Sequence, residues 1–267
     1  MLYYPLQLPY ILDSDFDEYV DYKEEIIPEL SDFVICIWQM KPKTRIDKIV
    51  KDIVMVDGCT ELVISYKSKN VNFAAPSLNK TAYAETTDTQ GEYIGIKFKP
   101  GAFTQLTGHS VEILENNYLD LSEVDAGFNK KKLLGLTFDE TKQFMVDYLL
   151  KLINGQSPNE YTLLFDQLSQ NLTVDVSMIY AMFHLSPRQC QRNFIKYYGL
   201  RPKMVVTIIR FHLCLSLITN KDVAPKEILD FIRFSDQSHF IREFKKNLGL
   251  TPYDYLKKLQ DGCFSQD

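Results

Sequence analysis

Arg188, Gln191 and Arg192 fall within one short stretch of this chain, and Gln237, Ser238 and Arg242 fall within another. Set at helical spacing, each trio puts amide, hydroxyl or guanidinium groups on one side of a helix. Such groups match the paired donors and acceptors that base edges offer in the major groove of DNA. Lys196, Lys203, His239, Lys245 and Lys246 lie close to the two trios and suit the phosphate backbone, which positions a protein without reading sequence. Ile241 stands among the polar residues of the second stretch and is open to two readings, contact with a thymine methyl or packing.

The elements that must hold these groups can be read around them. Residues 233–252 form a turn feeding one amphipathic helix that stops at Gly249 before Pro252. Ser235 is placed to cap a free backbone N–H, and Asp236 adds negative charge at the positive helix end. Phe240 and Phe244, four apart, anchor one face, which leaves Gln237, Ser238, Ile241, Arg242 and Lys245 on the other. Residues 184–202 repeat the plan with Ser186 as cap, Pro187 at the first helical position, Phe194, Gly199 and Pro202. Arg192 and Arg242, Phe194 and Phe244, Gly199 and Gly249, and Pro202 and Pro252 are each 50 positions apart. An offset shared by four pairs marks two copies of one small helical unit.

These residues carry a family resemblance. The C-terminal third resembles the DNA-binding domain of AraC/XylS transcription regulators, two helix-turn-helix units joined by a long helix. The second-unit pattern of that family is met by Phe234, Asp236, Phe240, Arg242, Phe244, Lys245, Gly249, Thr251 and Pro252, with Arg233 in place of the usual turn Gly. In the first unit Ser186, Arg188, Arg192 and Phe194 match, Cys190 replaces a Leu, and His184 stands where Gly is common. Both replaced glycines are at turns, where backbone freedom favours Gly. The resemblance carries the base-reading role to Arg188, Gln191 and Arg192, and to Gln237, Ser238 and Arg242. Residues 57–64 and 93–101 have a weaker likeness to a β-rich domain often found ahead of this unit.

The overall charge of −5 hides an asymmetry. Residues 165–260 hold 14 Lys and Arg against 8 Asp and Glu, whereas residues 1–164 hold 16 against 25. A basic module joined to an acidic one is expected when only the first meets phosphate. With 45% apolar and 24% charged residues, the composition is that of a soluble globular protein, and the length holds one large or two ordinary domains. No apolar run approaches the roughly 20 residues of a membrane helix. The first residues lack the basic start of a signal peptide. Five Cys without a Cys-x-x-Cys pair point to free thiols and a cytoplasmic location.

The fold class that follows is α+β with two domains. Strands are predicted over 33–38, 49–56, 62–66 and 93–98, giving an N-terminal β-barrel or sandwich (cupin-like) over residues 1–154. Short helices follow at 102–107, 111–116 and 121–124, then a long one over 138–153. Residues 155–160 are a linker, and 161–260 an all-α domain with helices at 161–169, 174–182, 187–197, 202–219, 225–232, 236–247 and 252–259. The helix-turn-helix units span about 174–199 and 225–249. Held by the 202–219 helix, their reading helices can enter successive major grooves about 34 Å apart.

His109 is the only His before residue 165 and no carboxylate cluster accompanies it, so neither a metal site nor a cofactor is expected and no catalytic residue is assigned. The N-terminal aromatics Trp38, Tyr66, Phe73, Tyr83, Tyr93, Phe98 and Phe103 either fill a core or line an effector pocket oriented by Glu61 or Gln39. Met145, Tyr148, Leu149 and Leu152 form a stripe that either packs within the chain or makes a homodimer. The expected partners are double-stranded DNA, a small-molecule effector, a second copy of the chain and RNA polymerase, with no membrane. A ligand-free protein recruiting other factors to DNA, and a small-molecule-modifying enzyme tethered to DNA, stay open as alternatives.

Overall fold

The computed structural model describes residue 5 and residues 19–43, 50–66, 70–75, 83–87, 91–115, 117–133, 135–169, 171, 174–219 and 237–260. Its N-terminal strands are β1 (Val20–Glu25), β2 (Val34–Pro42), β3 (Val50–Val54), β4 (Thr60–Ser65), β5 (Asn70–Ala74), β6 (Tyr83–Thr87), β7 (Tyr93–Phe98) and β8 (Leu119–Asp120). Six of them form one antiparallel sheet in the order β1-β2-β7-β4-β5-β8, and β3 pairs with β6 in a separate ribbon. The expected β-rich N-terminal region is therefore two sheets. Strands β1, β5, β6 and β8 were not legible from apolar runs, because polar residues interrupt each of them.

The centre of the large sheet is β7, and its alternation decides what each face does. Ile94, Ile96 and Phe98 point one way, Gly95 and Lys97 the other. Register lines up Ile37, Ile96, Leu62 and Phe73 in one row and Ile94, Ile64 and Val71 in the next. This apolar face is covered by helices α1 (Ala102–Thr107), α2 (Leu121–Val124) and α3 (Phe138–Ile153), which contribute Phe103, Leu121, Met145, Leu149 and Ile153. Phe73, Phe98 and Phe103 form an aromatic group within this core, with ring centroids 5.0 and 6.0 Å apart. The stretch expected as a helix over 111–116 is a 3-10 turn at Val111–Leu114.

Helix α3 begins at a capping box between Thr137 and Glu140 and ends at Asn154, which takes the left-handed conformation with φ 46°. Met145 and Leu149, weighed above as a self-association stripe, are fully buried against the sheet. These two residues of the stripe pack within the chain. Tyr148 and Leu152 instead border a groove of about 400 Å³ with Phe128 and Phe144.

The C-terminal helices are α4 (Glu160–Leu168), α5 (Val176–Phe183), α6 (Pro187–Tyr198), α7 (Pro202–Thr219), α8 (Gln237–Leu248) and α9 (Pro252–Gln260). The expected helix over 225–232, and the closing residues 220–222 of the long helix, lie outside the described residues. Helix α7 is apolar and long enough to cross a membrane by length and composition, unlike the expectation from sequence. Its apolar residues serve as core instead, with Val205, Ile208, Ile209, Cys214 and Leu215 fully buried.

One core joins the second face of the sheet to the C-terminal helices. Ile35, Cys36, Val56 and Cys59 pack in the same cluster as Leu164, Phe165, Phe194, Tyr198 and Ile208. Helix α4 makes the junction: Lys99, at the end of β7, donates to Asp166 at 2.7 Å, and the Phe165 ring lies over Gly58. The 155–159 segment is fastened too, because Gln105 accepts from the Asn159 N–H at 2.9 Å and donates to the Ser157 carbonyl at 2.9 Å. Gly58 has φ +78°, and a Cβ there would approach Phe165 to 2.9 Å. Gly58→Ala is therefore expected to cost about 1–3 kcal/mol through backbone strain alone, with displacement of Phe165 adding to it. A thermal melt within 1 °C of wild type would show that this approach is not structural.

Candidate nucleic-acid interface

The first unit is built as its sequence requires. Asp175 caps α5 by accepting from the N–H groups of Ser177 and Met178. His184 closes α5 in the left-handed region with φ 50°, so the turn takes the conformation that Gly would adopt without a Cβ penalty. Ser186 and Gln189 form a capping box at the start of α6, and Gly199 ends that helix with φ 65°. Gln189 is thereby occupied with its own backbone.

Cys190, Phe194 and Tyr198 make the buried stripe of α6. Phe194 meets Phe183 at 5.6 Å and Tyr161 at 6.3 Å, both edge-on, and the Tyr198 hydroxyl donates to the Tyr161 carbonyl at 2.6 Å. The opposite side is open: Arg188, Gln191, Arg192 and Lys196 are exposed. The edge between these faces is held by α4 and by α1. Asn193 donates to the Tyr161 hydroxyl at 2.7 Å, and Thr104 donates to the Lys196 carbonyl at 3.1 Å. Lys196 thus has an anchored backbone and a free side chain, its ammonium 5.9 Å from the Tyr197 ring centroid.

The second unit repeats this by position. Helices α6 and α8 start at 187 and 237 and end at 198 and 248, and Gly249 has φ 81° as Gly199 has 65°. Phe244 and Leu248 are buried where Phe194 and Tyr198 are. Phe244 meets Phe211 of α7 at 5.4 Å and Tyr255 of α9 at 5.9 Å, which seats α8 on the long helix. Ser238, Ile241, Arg242, Lys245 and Lys246 are exposed. The side chains of Gln237, His239 and Phe240, and residues 233–236, lie outside the described residues. Lys203 is exposed at the start of α7, next to Arg201, an exposed cation that the sequence did not single out.

Sequence reasoning also missed a buried charge cluster where the sheet meets helices α4 and α7. On the second face of the sheet, Lys97 lies opposite Cys36 on one side and Glu61 on the other. Its ammonium is 2.5 Å from Asp57 and 3.7 Å from Glu61. Burial would lower the Lys97 pKa, but the two carboxylates reverse this and hold it well above the ordinary value. Burial pushes Asp57 up, and Lys97 together with the Cys59 N–H more than offsets it, leaving the carboxyl below its usual range. Glu61, farther from the ammonium, is pushed up to about 6 by burial. Beside them His212 of α7 bonds the Val56 carbonyl at 3.0 Å, with burial holding its pKa below the normal value.

Glu61 and Gln39, weighed above as effector contacts, separate here. Glu61 belongs to the charge cluster, and Gln39 is buried in β2. Of the aromatics, Phe73, Phe98 and Phe103 are core, Tyr66 donates to Thr141 at 2.7 Å, and the Tyr83 side chain lies outside the described residues. Trp38 is different. It stacks on Tyr22 at 6.0 Å on the second face of the sheet and lies flat against Gly95, where any Cβ would overlap the indole.

A family model described as a helix-turn-helix domain matches residues 179–258. The C-terminal region thus carries a helix-turn-helix domain, in keeping with the AraC/XylS resemblance of its sequence. Residues 27–120 match a second model, described as a domain of unknown function (DUF6597). The chain is 25% identical over 173 residues to the uncharacterized HTH-type transcriptional regulator YtdP of Bacillus subtilis (strain 168), covering 59% of this chain and 22% of that protein. It is 34% identical over 67 residues to the uncharacterized HTH-type transcriptional regulator YidL of Escherichia coli (strain K12), covering 25% of this chain and 23% of that protein. The chain thus spans under a quarter of the length of these curated relatives. Among solved structures, ToxT from Vibrio cholerae O395 aligns over 90% of this chain and 96% of its own, with 15% identity and a TM-score of 0.39.

The charge cluster yields a prediction with a definite sign. Lys97→Met leaves Asp57 and Glu61 buried without their cation and is expected to cost about 3–5 kcal/mol at pH 7.5. Without Lys97 both carboxylates titrate well above their unfolded values, so the folded state binds more protons as the pH falls. The loss measured by urea unfolding is therefore smaller at pH 5.5 than at pH 7.5. A loss that grows on acidification would contradict this electrostatic reading.

Proposed function

We propose that the chain is a sequence-specific DNA-binding regulator of transcription that works in the cytoplasm. Residues 161–260 form the DNA-binding unit, residues 1–154 a sensing or self-association unit, and 155–160 the segment between them. The observation that carries this is the repeated exposure of polar and cationic side chains at matching positions of α6 and α8, over matching buried stripes. No bond chemistry is involved. Arg188, Gln191, Arg192, Gln237, Ser238 and Arg242 read base edges, at about 1–3 kcal/mol for each good bidentate contact. Lys196, Lys203, His239, Lys245 and Lys246 hold phosphates, each contact lowering log K by about 0.9 per tenfold rise in salt.

An effector can act only by binding one arrangement of the chain better than another. The second face of the sheet is the place for it, because Trp38, Tyr22, Gly95 and Lys97 share that face with the turn that touches α4 and α7. A ligand that moves Trp38 or competes for Glu61 is felt by the helices carrying the reading residues. Contact with RNA polymerase then completes an activator.

Two measurements test this reading. Selection and sequencing of bound fragments from a genomic DNA pool should recover a motif spanning two adjacent major grooves with wild type, and lose it with Arg192→Ala/Arg242→Ala while thermal stability stays within about 0.5 kcal/mol per exposed site. Equal enrichment by the double variant would reject the assignment of these helices. Trp38 is the chain's one Trp, so its emission reports the sheet face directly. A metabolite screen should yield a saturable emission change in wild type that Gly95→Ala abolishes; no change with any compound, alongside constitutive DNA binding, would favour a ligand-free regulator.

A further inference from the structure

The geometry points to Ile241 as the residue with which the second reading helix recognises a thymine, through the C5 methyl group. This rests on the DNA-binding reading and names one specificity contact within it. Ile241 is 36% exposed, and among the described residues it is the one large apolar side chain in the exposed class on either reading helix. The core beneath α8 is already filled by Phe244 and Leu248, both almost fully buried. Ile241 has turned outward from that core, on the side that carries Ser238, Arg242 and Lys245. Its repeat counterpart is Gln191, 50 positions earlier, exposed at the matching place on α6.

An Ile left 36% exposed on a contact face gains from covering that apolar surface, and an apolar group is the partner that does so. Its surroundings are cationic and hydroxylic, which disfavours an apolar protein surface and favours a polyanion. In the major groove each base pair presents donors and acceptors, and the one apolar group there is the thymine methyl. The side chain is well suited to it: a β-branched residue on a helix holds essentially one χ1 rotamer, so presenting its methyls loses little freedom. The two units then differ in kind. Gln191 offers an amide that pairs with adenine, whereas Ile241 offers hydrocarbon that pairs with thymine.

The test uses the full chain and synthetic duplexes of the motif it selects from a random-sequence library, with each thymine replaced in turn by deoxyuridine. One replacement, in the half contacted by α8, should weaken wild-type binding about fourfold, the equivalent of the ~0.8 kcal/mol of one buried methyl. Ile241→Ala should bind the thymine and uracil duplexes equally, and its melting curve checks that α8 remains folded. Ile241→Gln, which copies the first unit, should change the selected base at that position from thymine to adenine. A selected motif with no uracil-sensitive position, or a uracil effect that persists in Ile241→Ala, would overturn the inference while leaving DNA reading intact. Failure of wild type to select any motif would overturn both.

Discussion

A lysine buried in the middle of a β-sheet must bring its counter-charge with it, and in this chain that need organises the turn at residues 56–59. Lys97 holds Asp57, and Asp57 in turn accepts from the Cys59 N–H, which fixes the turn. The fixed turn leaves Gly58 open to the Phe165 ring and aims the Val56 carbonyl at His212. Four consecutive residues thus face the sheet, helix α4 and helix α7 together. Replacing such a cluster by hydrocarbon is often neutral for stability, and its plainer consequence is specificity of arrangement. An apolar junction could slide, whereas charges and a buried imidazole fix one register between sheet and helices.

That junction makes the two helix-turn-helix units unequal. The first has its reading helix tied through Asn193 to Tyr161 of α4 and by the Thr104 hydroxyl of α1, and its Phe194 and Tyr198 share a core with Ile35 and Cys36 of the sheet. Among the described residues the second is seated through Phe244 on α7 and α9. Among the described residues, α6 shares a core with the sheet, whereas α8 meets that body through Phe211 of α7. Differential coupling of this kind needs no flexible hinge; it needs one arrangement to be favoured over another.

The C-terminal helices were legible because local chemistry decides them. Ser186, Pro187 and Gly199 set the limits of α6 without help from distant residues, and the 50-residue repeat transferred those limits to α8. The N-terminal strands were legible where β-branched and aromatic residues form a run, as in β2, β3, β4 and β7. Strand β5 alternates Val71 and Phe73 with Asn70 and Asn72, and it is a strand because Leu62 and Ile64 lie beside it. His212 and Lys97 gave no signal in sequence. The His212–Val56 bond joins residues 156 apart, and an isolated His or Lys among apolar neighbours carries no mark of the partner that folding supplies.

The central claim is that the sheet and the first reading helix form one cooperative body through the 56–59 turn. Native-state hydrogen exchange on the full chain measures this most directly, because amides that open together share one opening free energy. The account predicts a common value for β7, α6 and the Val205–Leu215 part of α7, with α8 opening at a lower one. Exchange of α6 together with α8, at a free energy well below that of β7, would contradict it.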